Sequence, residues 1–149
     1  MISETLLAGY AGLFAAAFVA ATILPAQSEL LLGAMLVSGR FEIALLLAVA
    51  TAGNILGSIV NWLLGRSLAH HQEKRWFPAS PATVARAETW FARFGPAILL
   101  LSWVPVVGDP LTVVAGVLRM RFTTFLLVVT LAKGGRYLFL TFAVMSWLA

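Results

Sequence analysis

The sequence predicts an all-α integral membrane protein that forms a single membrane domain over residues 1–149. Only 11% of its residues are charged, whereas soluble domains carry about 25%. Residues 6–28 and 43–65 contain no charged residue, and apolar runs of about 18 or more residues are typical of membrane spans. Two broken apolar stretches, each followed by an unbroken span, predict an internal repeat.

The first apolar stretch, residues 6–37, is interrupted by a polar break that begins at Pro25. A straight helix of this length would rise about 48 Å, against about 30 Å of hydrocarbon. Proline also removes a helix hydrogen bond, so the break predicts a re-entrant hairpin. A cleaved signal peptide is the competing interpretation, but Glu4 stands where a basic region is expected and the apolar run is too long.

The second apolar stretch, residues 94–118, is broken by Pro105, Gly108, Asp109 and Pro110. Pro105 precedes Asp109 by the same spacing that separates the proline and the acid of the first break. Each half therefore predicts a re-entrant hairpin followed by one full span. Repeats with interrupted helices are typical of transporters.

The predicted layout is repeat one over 1–65, a linker with an interfacial helix over 66–93, and repeat two over 94–149. If each hairpin returns to its own side, each repeat crosses the membrane once and the repeats are inverted. One face then carries seven basic residues, which by the positive-inside tendency places the 66–93 loop in the cytoplasm and both termini opposite. These seven are Arg66, Lys74, Arg75, Arg86, Arg93, Arg119 and Arg121.

Four ionisable residues at membrane depth are the candidate site. Glu29 and Asp109 lie at the two breaks, and Lys133 and Arg136 lie one turn apart in the last span. A charge at the bilayer centre costs at least about 2.5–3.5 kcal/mol, so such residues usually pair or line a cavity. We expect a substrate or proton site where the cations bind an anionic phosphate. The alternatives are salt bridges that lock the hairpins, or side chains that reach the interface.

The span at 43–65 carries a polar stripe beside a GxxxG motif formed by Gly53 and Gly57. The stripe indicates either helix packing with interhelical hydrogen bonds or a polar lining of the site. GxxxG permits a homo-oligomer without requiring one. The stripe residues are Thr51, Asn54, Ser58 and Asn61.

Several classes of function are disfavoured. The chain has no cysteine, and its only histidines, His70 and His71, are adjacent in the loop, so we expect no metal and no cofactor. No glycine-rich phosphate loop and no GxSxG motif occurs, which argues against an enzyme. The basic residues are few and lie between apolar runs, so we expect no nucleic-acid partner.

The motifs in their order resemble the DedA family, whose members carry the VTT domain, in its short YqaA-like branch. Pro25-Ala26-Gln27-Ser28-Glu29-Leu30 resembles the first re-entrant hairpin of the family. Gly53-Asn54-Ile55-Leu56-Gly57 is similar to the span that follows it, and Phe91-Ala92-Arg93-Phe94-Gly95 to the entry of the second hairpin. Leu101-Ser102-Trp103-Val104-Pro105 looks like the YqaA branch.

This resemblance implies a multi-pass protein of the bacterial inner membrane. It implies a lipid flippase or scramblase for phospholipid or polyprenyl phosphate, coupled to protons; the alternative is a non-transporting protein that supports the envelope. Glu29 and Arg93 match positions important in the family. Family arginines are replaced here by Ser102 and Gly108, and a family acid by Ser58. The expected supporting residues are Ser28, Asn54, Ser58, Arg93 and Ser102.

Overall fold

The computed structural model describes residues 3–22, 27–71, 74–77 and 79–149. These residues form six α-helices and two 3₁₀ helices, and no strand occurs among them. The all-helical prediction is therefore confirmed, whereas the predicted break at Pro25 lies outside the described residues. The helices are α1 (Glu4–Thr22), α2 (Gln27–Ser38), α3 (Ile43–Ser67), α4 (Pro81–Phe94), α5 (Pro105–Val117) and α6 (Phe122–Leu148), and the 3₁₀ helices are Ala69–His71 and Gly95–Trp103.

Three described helices, α1, α3 and α6, are long and apolar enough to cross a membrane. At about 1.5 Å per residue, α3 and α6 each extend about 37–41 Å and exceed the hydrocarbon thickness of about 30 Å. The short helices α2 and α5 extend only about 18–20 Å by the same rise and cannot span it. The fold thus combines long spans with short apolar arms.

The helix α1 packs along α3, and the two run in the same direction. Asn54 and Asn61 of α3 donate hydrogen bonds to the carbonyls of Ala17 and Ala21, at 3.0 and 2.8 Å. Residue numbers thus rise together along both helices. Gly57 faces the backbone of α1 at such close range that a Cβ atom there would collide with it.

The two long spans α3 and α6 run antiparallel. Gly134 of α6 lies beside Thr51, near the start of α3. At the other end, the ring of Trp62 packs on Phe122, the first residue of α6, with centroids 5.4 Å apart. Residue numbers therefore rise along α3 in the direction in which they fall along α6.

Each short arm packs on the span of the opposite half of the chain. The arm α5 runs parallel to α3, with Gly116 against the carbonyl of Trp62. The arm α2 packs on α6, where the hydroxyls of Ser28 and Tyr137 are 2.8 Å apart. This exchange of arms brings both hairpin regions to the middle of α6.

The corners after the short arms have matching backbone conformations. Gly39 follows α2 with φ +66°, and Arg119 follows α5 with φ +57°. The separation of these two residues along the chain equals that of the two acids, Glu29 and Asp109. The left-handed region suits glycine and costs an arginine about 1–2 kcal/mol, so the second corner is strained.

The segment between the halves contains the predicted helix over α4. Ser80 caps it by accepting a hydrogen bond from the Thr83 amide at 3.2 Å. Pro81 occupies the first turn, and Gly95 ends the helix with φ +68°. One face of α4, which includes Val84 and Phe91, is buried in a core shared with α3, α5 and α6, whereas its arginines are exposed. The apolar face of α4 therefore packs on the protein core.

Candidate functional site

The four predicted charges lie together as two ion pairs on α6. Lys133 Nζ is 2.6 Å from Asp109 Oδ1, which is carried by α5. Arg136 Nε is 3.2 Å from Glu29 Oε1, which is carried by α2. Because the two cations are one turn apart on one helix, the acids of both short arms meet at the same part of α6.

The pair of Lys133 and Asp109 is a short, buried contact. The Lys133 side chain is 0% exposed, that of Asp109 is 17% exposed, and the ammonium donates a hydrogen bond to the carboxylate. Gly108 allows this turn of α5 to approach Ser102, because any Cβ would collide with the Ser102 backbone. The Thr112 hydroxyl donates to the Asp109 carbonyl at 2.6 Å. Local packing thus fixes the carboxylate against the cation.

The pair of Arg136 and Glu29 is much looser. Although Arg136 Nε and Glu29 Oε1 are 3.2 Å apart, neither atom has a partner with hydrogen-bond geometry among the described residues. The distance defines an ion pair, but the poor alignment makes it a weak contact. Arg136 Nη1 donates to the carbonyl of Trp103 at 3.3 Å, and its guanidinium lies 5.2 Å from the Tyr137 ring centroid. The Glu29 side chain is 23% exposed.

Buried hydroxyls on the helices that carry Arg136 and Trp103 also lack partners among the described residues. The hydroxyls of Ser102 and Thr141 are buried and accept or donate no hydrogen bond within the described part of the chain. Ser102 directly precedes Trp103, whose carbonyl contacts Arg136, and Thr141 lies one turn beyond Tyr137 on α6. Buried polar groups usually have partners, so this set has unused capacity to bind a polar ligand.

Tyr137 is a site residue that sequence reasoning missed. It is fully buried, and its hydroxyl contacts that of Ser28, which had been predicted as a supporting residue beside Glu29. The contact ties the first turn of α2 to α6. A phenol next to Arg136 within an apolar span was the available signal. The contact of Arg136 with the Trp103 carbonyl could not be predicted from side-chain types, because it uses the backbone.

The other predicted supporting residues form no hydrogen bond or ion pair with the four charges within the described part of the chain. The Asn54 amide nitrogen donates to α1 while its Oδ1 is buried without a partner among the described residues, and the Ser58 hydroxyl donates within α3 to the Asn54 carbonyl at 3.1 Å. Arg93 is exposed at the end of α4, with its guanidinium 5.4 Å from the ring centroid of Phe94. The GxxxG glycines face α1, so this motif is used within the chain.

The predicted hairpin breaks are only partly described. Pro105 begins α5, and Pro110 lies inside it, where it cannot donate a backbone hydrogen bond. The rings of His70 and His71 contact each other at a tilt, with centroids 3.9 Å apart. Within the described ranges, no three His, Cys, Asp or Glu residues are grouped so that they could hold a metal ion.

Known proteins resemble this chain along most of its length. The VTT domain matches residues 2–146. Inner membrane protein YqaA of Escherichia coli is 41% identical over 125 residues, which cover 84% of this chain and 83% of that protein. An uncharacterised Haemophilus influenzae protein is 36% identical over 137 residues, covering 87% and 83%.

A more distant relative has a functional name. Undecaprenyl phosphate transporter A of Staphylococcus aureus is 27% identical over 128 residues, which cover 78% of this chain and 63% of that protein. No solved structure matches the chain.

Proposed function

This chain belongs to the VTT-domain family of membrane proteins, and from that membership we propose that it transports a phosphate-bearing lipid across the bilayer. The name of the undecaprenyl phosphate transporter supports a lipid carrier as substrate at the level of the family. The substrate class is a phospholipid or a polyprenyl phosphate. The protein acts as a flippase or scramblase and not as an enzyme.

One observation carries the proposal: Arg136 is a buried cation whose Nε has no hydrogen-bond partner among the described residues. Guanidinium has five N–H donors, and only the contact with the Trp103 carbonyl is an aligned hydrogen bond among the described residues. Its planar fork matches two oxygens of a phosphate. The unpartnered hydroxyls of Ser102 and Thr141 lie on the helices that carry Trp103 and Arg136. An ionisable residue at membrane depth is by default a functional candidate.

Charge balance supports an exchange mechanism. The two acids and two bases cancel, so an incoming phosphate adds negative charge to a neutral site. The phosphate takes the place of the Glu29 carboxylate at Arg136, and the released carboxylate binds a proton through its exposed side. Loss of that proton returns Glu29 to Arg136 and expels the phosphate. The lipid headgroup and a proton therefore enter and leave together.

Two inverted repeats over 1–65 and 94–149, joined by a linker over 66–93, complete the proposal. The antiparallel spans, the exchanged short arms and the left-handed corners at matching positions of the two halves support this symmetry. Both hairpins are re-entrant, and the 66–93 loop is cytoplasmic with the termini opposite. Since the chain has no cysteine, single cysteines test this topology cleanly. Ser80→Cys and Ser146→Cys should react with impermeant maleimide from opposite sides.

Transport is tested in proteoliposomes that contain labelled polyprenyl phosphate or a fluorescent phospholipid. Arg136→Gln should abolish protein-dependent translocation, and Glu29→Gln should remove its dependence on a proton gradient. Arg86→Gln, which changes an exposed arginine of α4, is the matched control and should transport normally. Equal translocation by vesicles with and without protein would refute transport of these lipids.

The second candidate function is structural support of envelope complexes without transport. The short Lys133–Asp109 contact favours it, because such a pair can lock α5 to α6. Under this function, Arg136→Gln and Arg86→Gln have the same effect on cells that lack the wild-type protein. Under transport, only Arg136→Gln fails to complement them.

A further inference from the structure

A groove lies between the start of α1 and the end of α2, away from the four central charges. Its volume is ≈ 580 Å³, within the range of about 300–1,000 Å³ typical of small-molecule sites. Leu6, Ala34, Met35 and Phe41 supply an apolar lining, and Arg40 lines the groove together with three hydroxyl side chains. An apolar groove with one cationic side chain resembles the surface that a lipid requires.

The corner that carries Arg40 is firmly attached to α1. Phe41 packs edge-on against the Tyr10 ring with centroids 5.2 Å apart, and Gly9 provides the space for its ring. The Glu42 amide donates to the Tyr10 hydroxyl at 3.0 Å. These contacts fix the backbone next to the arginine, so its position at the groove is built into the fold.

Arg40 is an isolated positive charge. It is the only Lys or Arg in residues 1–65, and no basic residue follows Arg136. The ion pairs found among the described residues are the two of the central site, so Arg40 has no carboxylate partner there. The other charged side chains of this face are Glu4 and Glu42, so Arg40 is its one Lys or Arg available to an anion.

We propose that this groove binds an anionic phospholipid, with the phosphate on Arg40 and an acyl chain on the apolar surface between α1 and α2. The charge complementarity of Arg40 and the carbon lining select a lipid over a soluble anion. The site lies at the end of the molecule opposite the basic 66–93 loop. It is independent of the proposed transport, because none of the four central charges lines it.

Binding is measured by native mass spectrometry of the purified full chain with phosphatidylglycerol or phosphatidylcholine. Arg40→Gln should lower phosphatidylglycerol affinity about fivefold, the effect of one basic residue near an anionic headgroup, and erase the preference over phosphatidylcholine. Arg86→Gln is the control. It should retain the wild-type affinity for phosphatidylglycerol and the preference over phosphatidylcholine. Equal phosphatidylglycerol affinity in Arg40→Gln and wild type would overturn the proposal.

A second variant tests the apolar part of the groove without changing charge. Ala34→Trp should fill the groove and reduce binding of both lipids, whereas Ala48→Trp, on an exposed face of α3, should not. Unchanged binding in Ala34→Trp would place the lipid elsewhere and overturn the proposal. If the wild-type protein binds phosphatidylglycerol in this assay but translocates no lipid in vesicles, the proposed transport is refuted and this site stands.

Discussion

The long helices α3 and α6 each follow a short apolar helix, yet they use their polar residues differently. The polar stripe of α3 is uncharged, and two of its amides donate to backbone carbonyls of α1. The polar residues of α6 include two cations, which contact acids from both short arms. One span holds neighbouring helices, and the other carries the charges of the candidate site.

The difference shows that the hydrogen-bond partners of a buried polar residue, more than its polarity, distinguish a packing role from a ligand-binding role. A buried amide that reaches a helix carbonyl contributes an ordinary interhelical hydrogen bond. A buried guanidinium with few aligned partners keeps capacity for a ligand. Four substitutions at or beside these two spans have expected effects that range from large to small.

The largest effect is expected from Lys133→Met in α6. It leaves Asp109 buried without its cation, and breaking such a pair from one side costs about 3–5 kcal/mol of unfolding free energy. Unfolding in mixed detergent micelles, followed by circular dichroism, measures this loss. The double variant Lys133→Met/Asp109→Leu should recover most of it. A stable single variant would contradict the structural importance of this pair.

The close contact of α3 with α5 should be the next most sensitive feature. A Cβ at Gly116 would collide with the Trp62 carbonyl, so Gly116→Ala should lower the free energy of unfolding by about 1–3 kcal/mol. Gly12→Ala in α1 is the control, because its Cβ would meet open space. If both variants unfold alike in micelles, the helices do not approach as closely as described.

The stripe of α3 should matter for stability alone. Asn61→Leu loses hydrogen bonds to the Ala21 carbonyl and the Thr112 hydroxyl, which together should cost about 0.6–1.7 kcal/mol. Translocation per folded molecule should be unchanged, in contrast to Arg136→Gln. Loss of translocation in folded Asn61→Leu would assign α3 a place in the substrate site and remove the distinction between the spans.

The smallest effect is expected at the corner before α6. Arg119 has the left-handed conformation that Gly39 has before α3, so Arg119→Gly should raise the free energy of unfolding by up to about 1 kcal/mol. Arg121→Gly, at a negative φ, is the control and should not stabilise. A destabilised Arg119→Gly would mean that the arginine side chain holds the corner.

The spans and the four charges were predictable because apolar runs and isolated ionisable residues stand out in a sequence. The pairing was not, since the spacing of Lys133 and Arg136 does not tell which acid each one contacts. The assignment of Asn54 and Ser58 to the site stays a prediction, because the Asn54 amide nitrogen donates to α1 while its Oδ1 is buried without a partner among the described residues. Only the neighbouring α1 carbonyl shows where the Asn54 amide is used.

Tyr137 was missed because one polar group on a large apolar ring looks like ordinary core in a sequence. The re-entrant and inverted arrangement stays a prediction, and its first break at Pro25 lies outside the described residues. The contacts of the short arms depend on tertiary packing between halves that are far apart along the chain. No local pattern reports such contacts.

The position of both cations on α6 has a consequence for biosynthesis. The insertion of an isolated lysine and arginine at the centre of one helix costs about 2.5–3.5 kcal/mol for each. Because α6 follows both acids along the chain, Glu29 and Asp109 have already been synthesised when α6 leaves the ribosome. Counter-charges for both cations are therefore already present in the chain when α6 is synthesised.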